Sequence, residues 1–385
     1  MTLFASINER LRTHLKSRTV RVLVVVSALT VLIGMTVTVP ITSYPQSPQQ
    51  FDDQFRNAAP KPKESLGTTL KLFWDFFFNR PDGTVPVSSP PVRVLTPEAL
   101  AKAPDRSVYR LGHSTLLIKL RGGWWLTDPV FSERASPFQW IGPKRFHAPP
   151  IALKDLPPIR GVLLSHDHYD HLDRATVKYL ANRAEVFLVP LGVGDRLTHW
   201  GVPADKVRQF DWWQETEVDG LRLAFTPTQH FSGRGLRDSN RTLWGSWVII
   251  DDALRVYFSG DTGYFAGFKD IGERYGPFDV AFIETGAYDA KWPYVHMQPT
   301  QTVQAHQDLR ARWLVPIHNG TFDLAMHTWD DPFEQVSALA AQRGIALSTP
   351  EMGERLDLDA PHPGRPWWRT MKATASAPLE TVGQR

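Results

Sequence analysis

This chain predicts an α/β protein with a metal centre at the ends of its strands, held behind a single N-terminal membrane-crossing helix. Three observations carry that reading. From Val108 onward, short apolar runs of strand length alternate with helix-length segments. One apolar run, Ile159 to Leu164, leads into Ser165-His166-Asp167-His168-Tyr169-Asp170-His171-Leu172-Asp173. Near the N-terminus, Val22 to Ile41 is twenty residues without a charge.

The composition frames the rest. The chain has 385 residues, enough for one large domain with a full core. Hydrophobic residues at 42% and charged residues at 22% describe a folded chain. The formal net charge of +3 is concentrated at the start, where Arg10, Arg12, Lys16, Arg18 and Arg21 face only Glu9. The remainder is near neutral, so no nucleic-acid partner is expected. There are no cysteines, which excludes disulfides and thiolate metal sites.

In chain order, residues 1–21 read as a basic cytoplasmic segment and 22–41 as a transmembrane signal-anchor. Twenty residues at about 1.5 Å each span roughly 30 Å, the thickness of a hydrocarbon core. The basic cluster stays on the cytoplasmic side and sends the rest across. A cleaved signal peptide is the competing reading, but the apolar run is longer than a usual signal core and no clear Ala-x-Ala site follows it. Residues 42–107 are expected to be a linker with an aromatic segment, Leu70 to Phe78, lying on the membrane or strapped to the domain. The catalytic domain is expected over 108–369, and 370–385 as a polar disordered tail.

Within the domain, Val108–Leu111, Thr115–Leu120 and Trp124–Thr127 read as strands, the last two joined by a hairpin at Arg121-Gly122-Gly123. Asp128, closing the third strand, is placed to orient a metal-bound histidine from behind. The loop 131–150 carries Phe138, Gln139, Trp140 and Phe146, a wall suited to a greasy substrate. Further strands lead into His230, Asp261 and His318. Imidazole and carboxylate together suit zinc and similar divalent ions. The spacing assigns His166, His168 and His230 to one ion, and Asp170, His171 and His318 to a second. Asp261 lies between, making a bimetal hydrolytic centre.

These segments, with Gly112-His113-Ser114-Thr115, Gly142-Pro143-Lys144-Arg145-Phe146, Asn240-Arg241-Thr242-Leu243-Trp244-Gly245 and Gly320-Thr321-Phe322-Asp323-Leu324-Ala325, resemble the metallo-β-lactamase superfamily. Within it, they are most similar to the branch of the phospholipase D that hydrolyses N-acyl-phosphatidylethanolamine. The resemblance implies a four-layer αβ/βα sandwich and two Zn2+ ions, with iron or manganese as substitutes. It also implies a phospholipid-like phosphodiester attacked by a metal-activated hydroxide, with Asp170 and Asp261 in catalytic roles. His296 matches a histidine beside the lipase site and would bind phosphate or protonate the leaving group. Gln139 and Trp140 are the expected substrate contacts. His113, His147, His306 and His327 are read as structural. Asn319, where an aromatic is expected, and Glu284-Thr285, where an apolar pair is expected, depart from the branch near the site. The reading implies a bacterial inner-membrane protein with a periplasmic catalytic domain and a membrane partner, and it allows a homodimer. A lactone or other cyclic-ester hydrolase, and a non-catalytic binding protein on the same scaffold, are the alternatives.

Overall fold

The computed structural model describes residues 39–59, 67, 74–75 and 79–376. A two-stranded hairpin comes first, β1 (Gln50–Phe51) and β2 (Gln54–Phe55), followed by a short helix α1 (Pro97–Ala101). A first half then runs β3 (Ser107–Gly112), β4 (Thr115–Leu120), β5 (Gly123–Thr127), β6 (Ile159–Leu163), α2 (Arg174–Leu180), β7 (Ala184–Pro190), α3 (Val193–His199), β8 (Val207–Phe210). A second half runs β9 (Glu215–Val218), β10 (Leu221–Thr226), β11 (Ser246–Asp251), β12 (Leu254–Phe258), α4 (Gly267–Tyr275), β13 (Val280–Glu284), α5 (Pro299–Asp308), β14 (Trp313–Ile317), α6 (Asp331–Arg343), β15 (Ala346–Leu347). The chain closes with β16 (Arg355–Asp357) and α7 (Trp367–Ser376).

The two halves build two seven-stranded sheets on one plan. In the first, β16-β3-β4-β5 pair antiparallel and β5-β6-β7-β8 pair parallel. In the second, β9-β10-β11-β12 pair antiparallel and β12-β13-β14-β15 parallel. Alternation along each strand explains the layering. Leu116, Ile118 and Leu120 of β4 meet Leu223, Phe225, Phe282 and Val315 of the other sheet in one cluster between the sheets. Leu117 of the same strand turns outward to Val177, Leu180 and Leu197 of the helices. In the second sheet, Ala281 and Ile283 face Phe268, Ile271 and Val303 of the helices that cover it. Strands buried on both faces read as continuous apolar runs for this reason. The result is the expected αβ/βα sandwich of four layers.

The segment before β3 differs from the linker expected for 42–107. Phe55 is 0% exposed and sits in the inter-sheet cluster. Thr42 and Tyr44 bond the Asp195 carboxylate at 2.6 and 3.2 Å. The Pro, Gln and Ser composition hides one aromatic anchor, and the anchor decides. Among the described residues, no helix is long and apolar enough to cross a membrane. The expected span lies outside the described residues except for Val39 to Ile41, and of the aromatic segment only Trp74 and Asp75 are described. The tail expected from Thr370 instead continues α7 to Ser376, because Trp367 and Trp368 bury against Phe333 with ring centroids 4.9 and 5.0 Å away. Residues 377–385 lie outside the described residues.

Candidate metal centre

Five strands end at the same seam between the sheets, and each delivers one part of the site. After β6 come His166, His168, Asp170 and His171; after β10, His230; after β12, Asp261; after β14, His318; after β3, His113. Trp247 in β11 ties the sheets together beneath the His-rich turn by donating its indole N–H to the Leu164 carbonyl at 2.8 Å. Gly260 holds φ +56°, and a Cβ there would lie 2.4 Å from the Ser165 Cβ. Only glycine lets the Asp261 turn close against the His-rich turn.

Two groups of donors result. His166, His168, His230 and Asp261 form one; His113, Asp170, His171 and His318 form the other, with donor atoms in each group within 4.8 Å of one another. In the first, His166 Nε2 lies 2.8 Å and His230 Nε2 3.3 Å from His168 Nδ1. In the second, Asp170 Oδ2 lies 3.4 Å from His171 Nε2 and 3.3 Å from His318 Nε2. Asp261 reaches both. Its Oδ1 is 3.1 Å from His171 Nε2, and its Oδ2 is 3.0, 3.7 and 3.8 Å from the Nε2 atoms of His318, His230 and His166.

The surrounding hydrogen bonds fix which nitrogen of each ring faces inward. Asp128 accepts from the Ser165 amide, the Ser165 hydroxyl and His171 Nδ1 at 2.7, 2.6 and 2.7 Å. The Ser165 oxygen in turn lies 2.9 Å from His166 Nδ1. His230 Nδ1 lies 2.9 Å from the Val295 carbonyl. Each contact holds a proton on Nδ1 and leaves Nε2 as a lone pair. His171 Nε2, His318 Nε2 and Asp261 Oδ1 are buried with no hydrogen-bond partner, although they face one another closely. Buried polar atoms are rarely left so, because each costs about 1–3 kcal/mol. Convergent nitrogen and carboxylate donors with no sulfur fit divalent cations such as zinc, iron or manganese. The charge balance agrees in sign only: against burial, Asp261 and Asp170 hold His171 and His318 above the ordinary imidazole value, so the two carboxylates draw positive charge into the site. Burial opposes ionisation of Asp261, but His171 and His318 outweigh it and hold its carboxyl well below the usual range. Burial and the neighbouring imidazoles hold His166 well below its ordinary value, as a neutral ligand requires.

Beside the donors stands a carboxylate–imidazole pair. His296 Nδ1 lies 2.7 Å from Glu284 Oε2, and Glu284 Oε1 accepts from the Met297 amide at 2.6 Å. The His296 ring lies between His230 and His318, with centroids 5.2 and 5.0 Å away. Glu284 is 0% exposed, and burial pushes its carboxyl pKa up, partly offset by His296.

Residues 123–319 match the model of the β-lactamase superfamily domain. The chain belongs to this superfamily. It is 42% identical over 334 residues to an uncharacterized protein of Mycobacterium tuberculosis, covering 84% of this chain and 88% of that one. It is 38% identical over 261 residues to N-acyl-phosphatidylethanolamine-hydrolyzing phospholipase D 1 of Caenorhabditis elegans, covering 63% of this chain and 73% of the worm protein. Among solved structures, an isothiocyanate hydrolase from Delia radicum gut bacteria superposes with a TM-score of 0.53 at 20% identity, over 65% of this chain and 98% of that one. That likeness shows the fold. The chain is thus a metallo-β-lactamase-fold member of a superfamily of metal-dependent hydrolases, with His/Asp clusters able to hold the metal.

Within that superfamily fold, the structure gathers all seven expected ligands and His296 at one seam. It does not bring Gln139 and Trp140 there. The Gln139 amide is spent on its own loop, accepting from the Arg134 amide at 3.0 Å and donating to the Arg134 carbonyl at 3.1 Å. Trp140 is 65% exposed and lies 5.6 Å from Phe138, ring to ring. A greasy loop near a site in sequence need not line it. His113, read as structural, has its Nε2 2.9 Å from Asp170 Oδ2 and belongs to the second group. Its signal was its place at a strand end, next to Gly112. Asp167, inside the His-rich turn, is held outside both donor groups by Arg196 and the Gly233 amide at 2.8 Å each. Asn319 turns away from the metal donors, accepting from buried Arg110 at 2.9 Å and donating to the Thr285 carbonyl at 3.1 Å. Asn57, in the segment taken for a linker, clamps His230. It donates to the His230 carbonyl at 2.7 Å, and accepts from the His230 amide at 2.9 Å and the Trp244 indole at 3.0 Å.

Proposed function

We propose that the protein is a dinuclear zinc phosphodiesterase of phospholipase D type, anchored in a bacterial inner membrane, with its catalytic domain on the periplasmic side and a phospholipid as substrate. The observation that carries the reading is Asp261, whose two oxygens face donors of both clusters. The relative named as a phospholipase D supplies the substrate class. The basic segment before the apolar run 22–41 supports the orientation.

Two zinc ions in the two clusters would supply Lewis acidity and a water acidified toward neutral pH. The chain's own residues do the rest. Asp128 and Ser165 keep His171 and His166 in the ligating tautomer. His113 holds Asp170. Glu284 fixes His296 by its Nδ1, which leaves Nε2 to contact a phosphoryl oxygen or hand a proton to the departing alcohol. Burial of the donors keeps bulk water from competing for the phosphate charge.

Hydrolysis of a long-chain N-acyl-phosphatidylethanolamine in detergent micelles is the test, before and after chelation and in Asp261→Ala. Both treatments are expected to abolish turnover, and zinc to restore it only after chelation. Activity that survives both would refute the metal centre as the engine. Turnover of a lactone with none of the phosphodiester would assign the cyclic-ester chemistry instead.

A further inference from the structure

A cavity of about 480 Å3 lies beside the His-rich turn, and no residue of the two donor groups lines it. Tyr169, between His168 and Asp170, lines it, so the cavity and the metal donors share one turn. Its lining is cationic. Arg174 and Lys178 come from one face of α2, Arg134 from the loop 131–150, and Arg234 from the loop after β10. Among the described residues none of the four is ion-paired. The one carboxylate in the lining, Asp173, is already used by the amides of Phe131, Ser132 and Ala175 and the Thr176 hydroxyl.

Two of these guanidiniums are only partly satisfied. Arg234 Nη1 donates to the Asp167 and Leu172 carbonyls at 2.7 Å each and Arg134 Nη1 to the Gly142 carbonyl at 2.6 Å, but the Nε of each is buried with no hydrogen-bond partner. Arg234 is 6% exposed, stacked 3.9 Å over the Tyr169 ring and 5.3 Å from the Trp200 ring, and burial lowers its pKa. Buried cations normally have a counter-charge, because an unpaired one is expensive. A phosphate suits planar guanidinium donors better than any other common anion.

The apolar part of the wall distinguishes a lipid from a free ion. Val39, the first described residue and part of the apolar run 22–41, lines the cavity. Phe138 lines it too, beside exposed Trp140, and Leu236 is 62% exposed on the loop that bears Arg234. Aromatic and aliphatic side chains around a cationic pocket match an amphiphile at a membrane interface. We propose that this cavity docks the headgroup phosphate of an anionic phospholipid, separately from the metal centre. Docking there would hold the domain against the bilayer. The inference rests on the membrane placement proposed above and not on the hydrolytic activity.

Calorimetric titration of the full chain in nonionic detergent tests it, after chelation so that nothing turns over. The probes are dihexanoyl phosphatidylglycerol below its micelle concentration, dihexanoyl phosphatidylcholine and inorganic phosphate. Phosphatidylglycerol is expected to saturate one site, with the other two roughly tenfold weaker or more. The double variant Arg174→Ala/Lys178→Ala should weaken it by roughly tenfold or more. Both side chains are exposed, so melting should not change. Phosphate binding as tightly as the lipid would make this a free-phosphate site, and equal binding of phosphatidylcholine would remove the charge argument. Either result, an unaffected double variant, or binding that needs the metal restored overturns the proposal. Failure of hydrolysis alone would leave this binding intact, which separates the two readings.

Discussion

Glu284 illustrates how a single side chain can be read only when its partners are known. In the sequence it is an acid where an apolar residue is expected, which signals a difference without a direction. In the structure it is buried and divided between the Met297 amide and His296 Nδ1. Glu284→Gln keeps the shape and removes the charge that orients the imidazole. We expect kcat of the proposed phosphodiester hydrolysis to fall roughly ten- to hundredfold, by analogy with other orienting carboxylates, with bound metal unchanged. Steady-state kinetics beside metal analysis check this, and an unaltered kcat would reduce Glu284 to a packing strut. His306 gives a pH prediction of the opposite kind. Burial lowers its pKa to about 4 from 6.5, so the folded state refuses a proton that the unfolded chain accepts. Between those values the unfolded state binds more protons, so stability rises with pH. The contribution is complete above pH 6.5 and is lost as pH falls through the window. At pH 5 the loss is about 2 kcal/mol. Denaturation at pH 8 and pH 5 should therefore show a smaller difference in His306→Leu than in the parent.

Asn57 belongs to the segment that carries the β1–β2 hairpin. The strand ends that hold the ligands were legible because apolar runs of five or six residues mark buried strands, and polar residues of one chemical type cluster directly after them. β4 lies at Thr115–Leu120, where its apolar run put it, and the turn between β4 and β5 has Arg121 and Gly122 at φ +50° and +73°, as a tight hairpin needs. β8 and β9 were not legible. Both alternate exposed and half-buried positions with few apolar side chains, since each closes the edge of a sheet. The hairpin segment was illegible for another reason: a hydrogen-bond clamp leaves no periodicity. Asn57→Ala should weaken metal binding at the His166, His168 and His230 group by roughly tenfold, as loss of an outer partner does. Asn57→Asp, which keeps the acceptor for the His230 amide and Trp244 but loses the donor, should fall between. Competition with a chelating dye reads the affinity, and a lower melting temperature with unchanged affinity would show Asn57 to be structural only.

The centre belongs to the seam between two sheets, so the whole molecule must hold together for the ligands to meet. His166 to His171 come from one sheet, whereas His230, Asp261 and His318 come from the other. The inter-sheet cluster sets their separation, and Phe55 of the N-terminal segment is part of it. That places the segment inside the cooperative unit and not on a tether to it. Phe55→Ala should cost about 3–5 kcal/mol, a large share of the roughly 5–15 kcal/mol that holds an ordinary domain. A chain shortened to begin after residue 59 should lose that packing and the Asn57 clamp together. Melting temperature and metal affinity would then drop in the same variant, whereas a chain beginning at Val39 keeps both. Following unfolding by near-UV and far-UV circular dichroism should give one coincident transition for the chain from Val39. A separate early transition that leaves metal binding intact would mean that the segment folds onto a centre already formed without it.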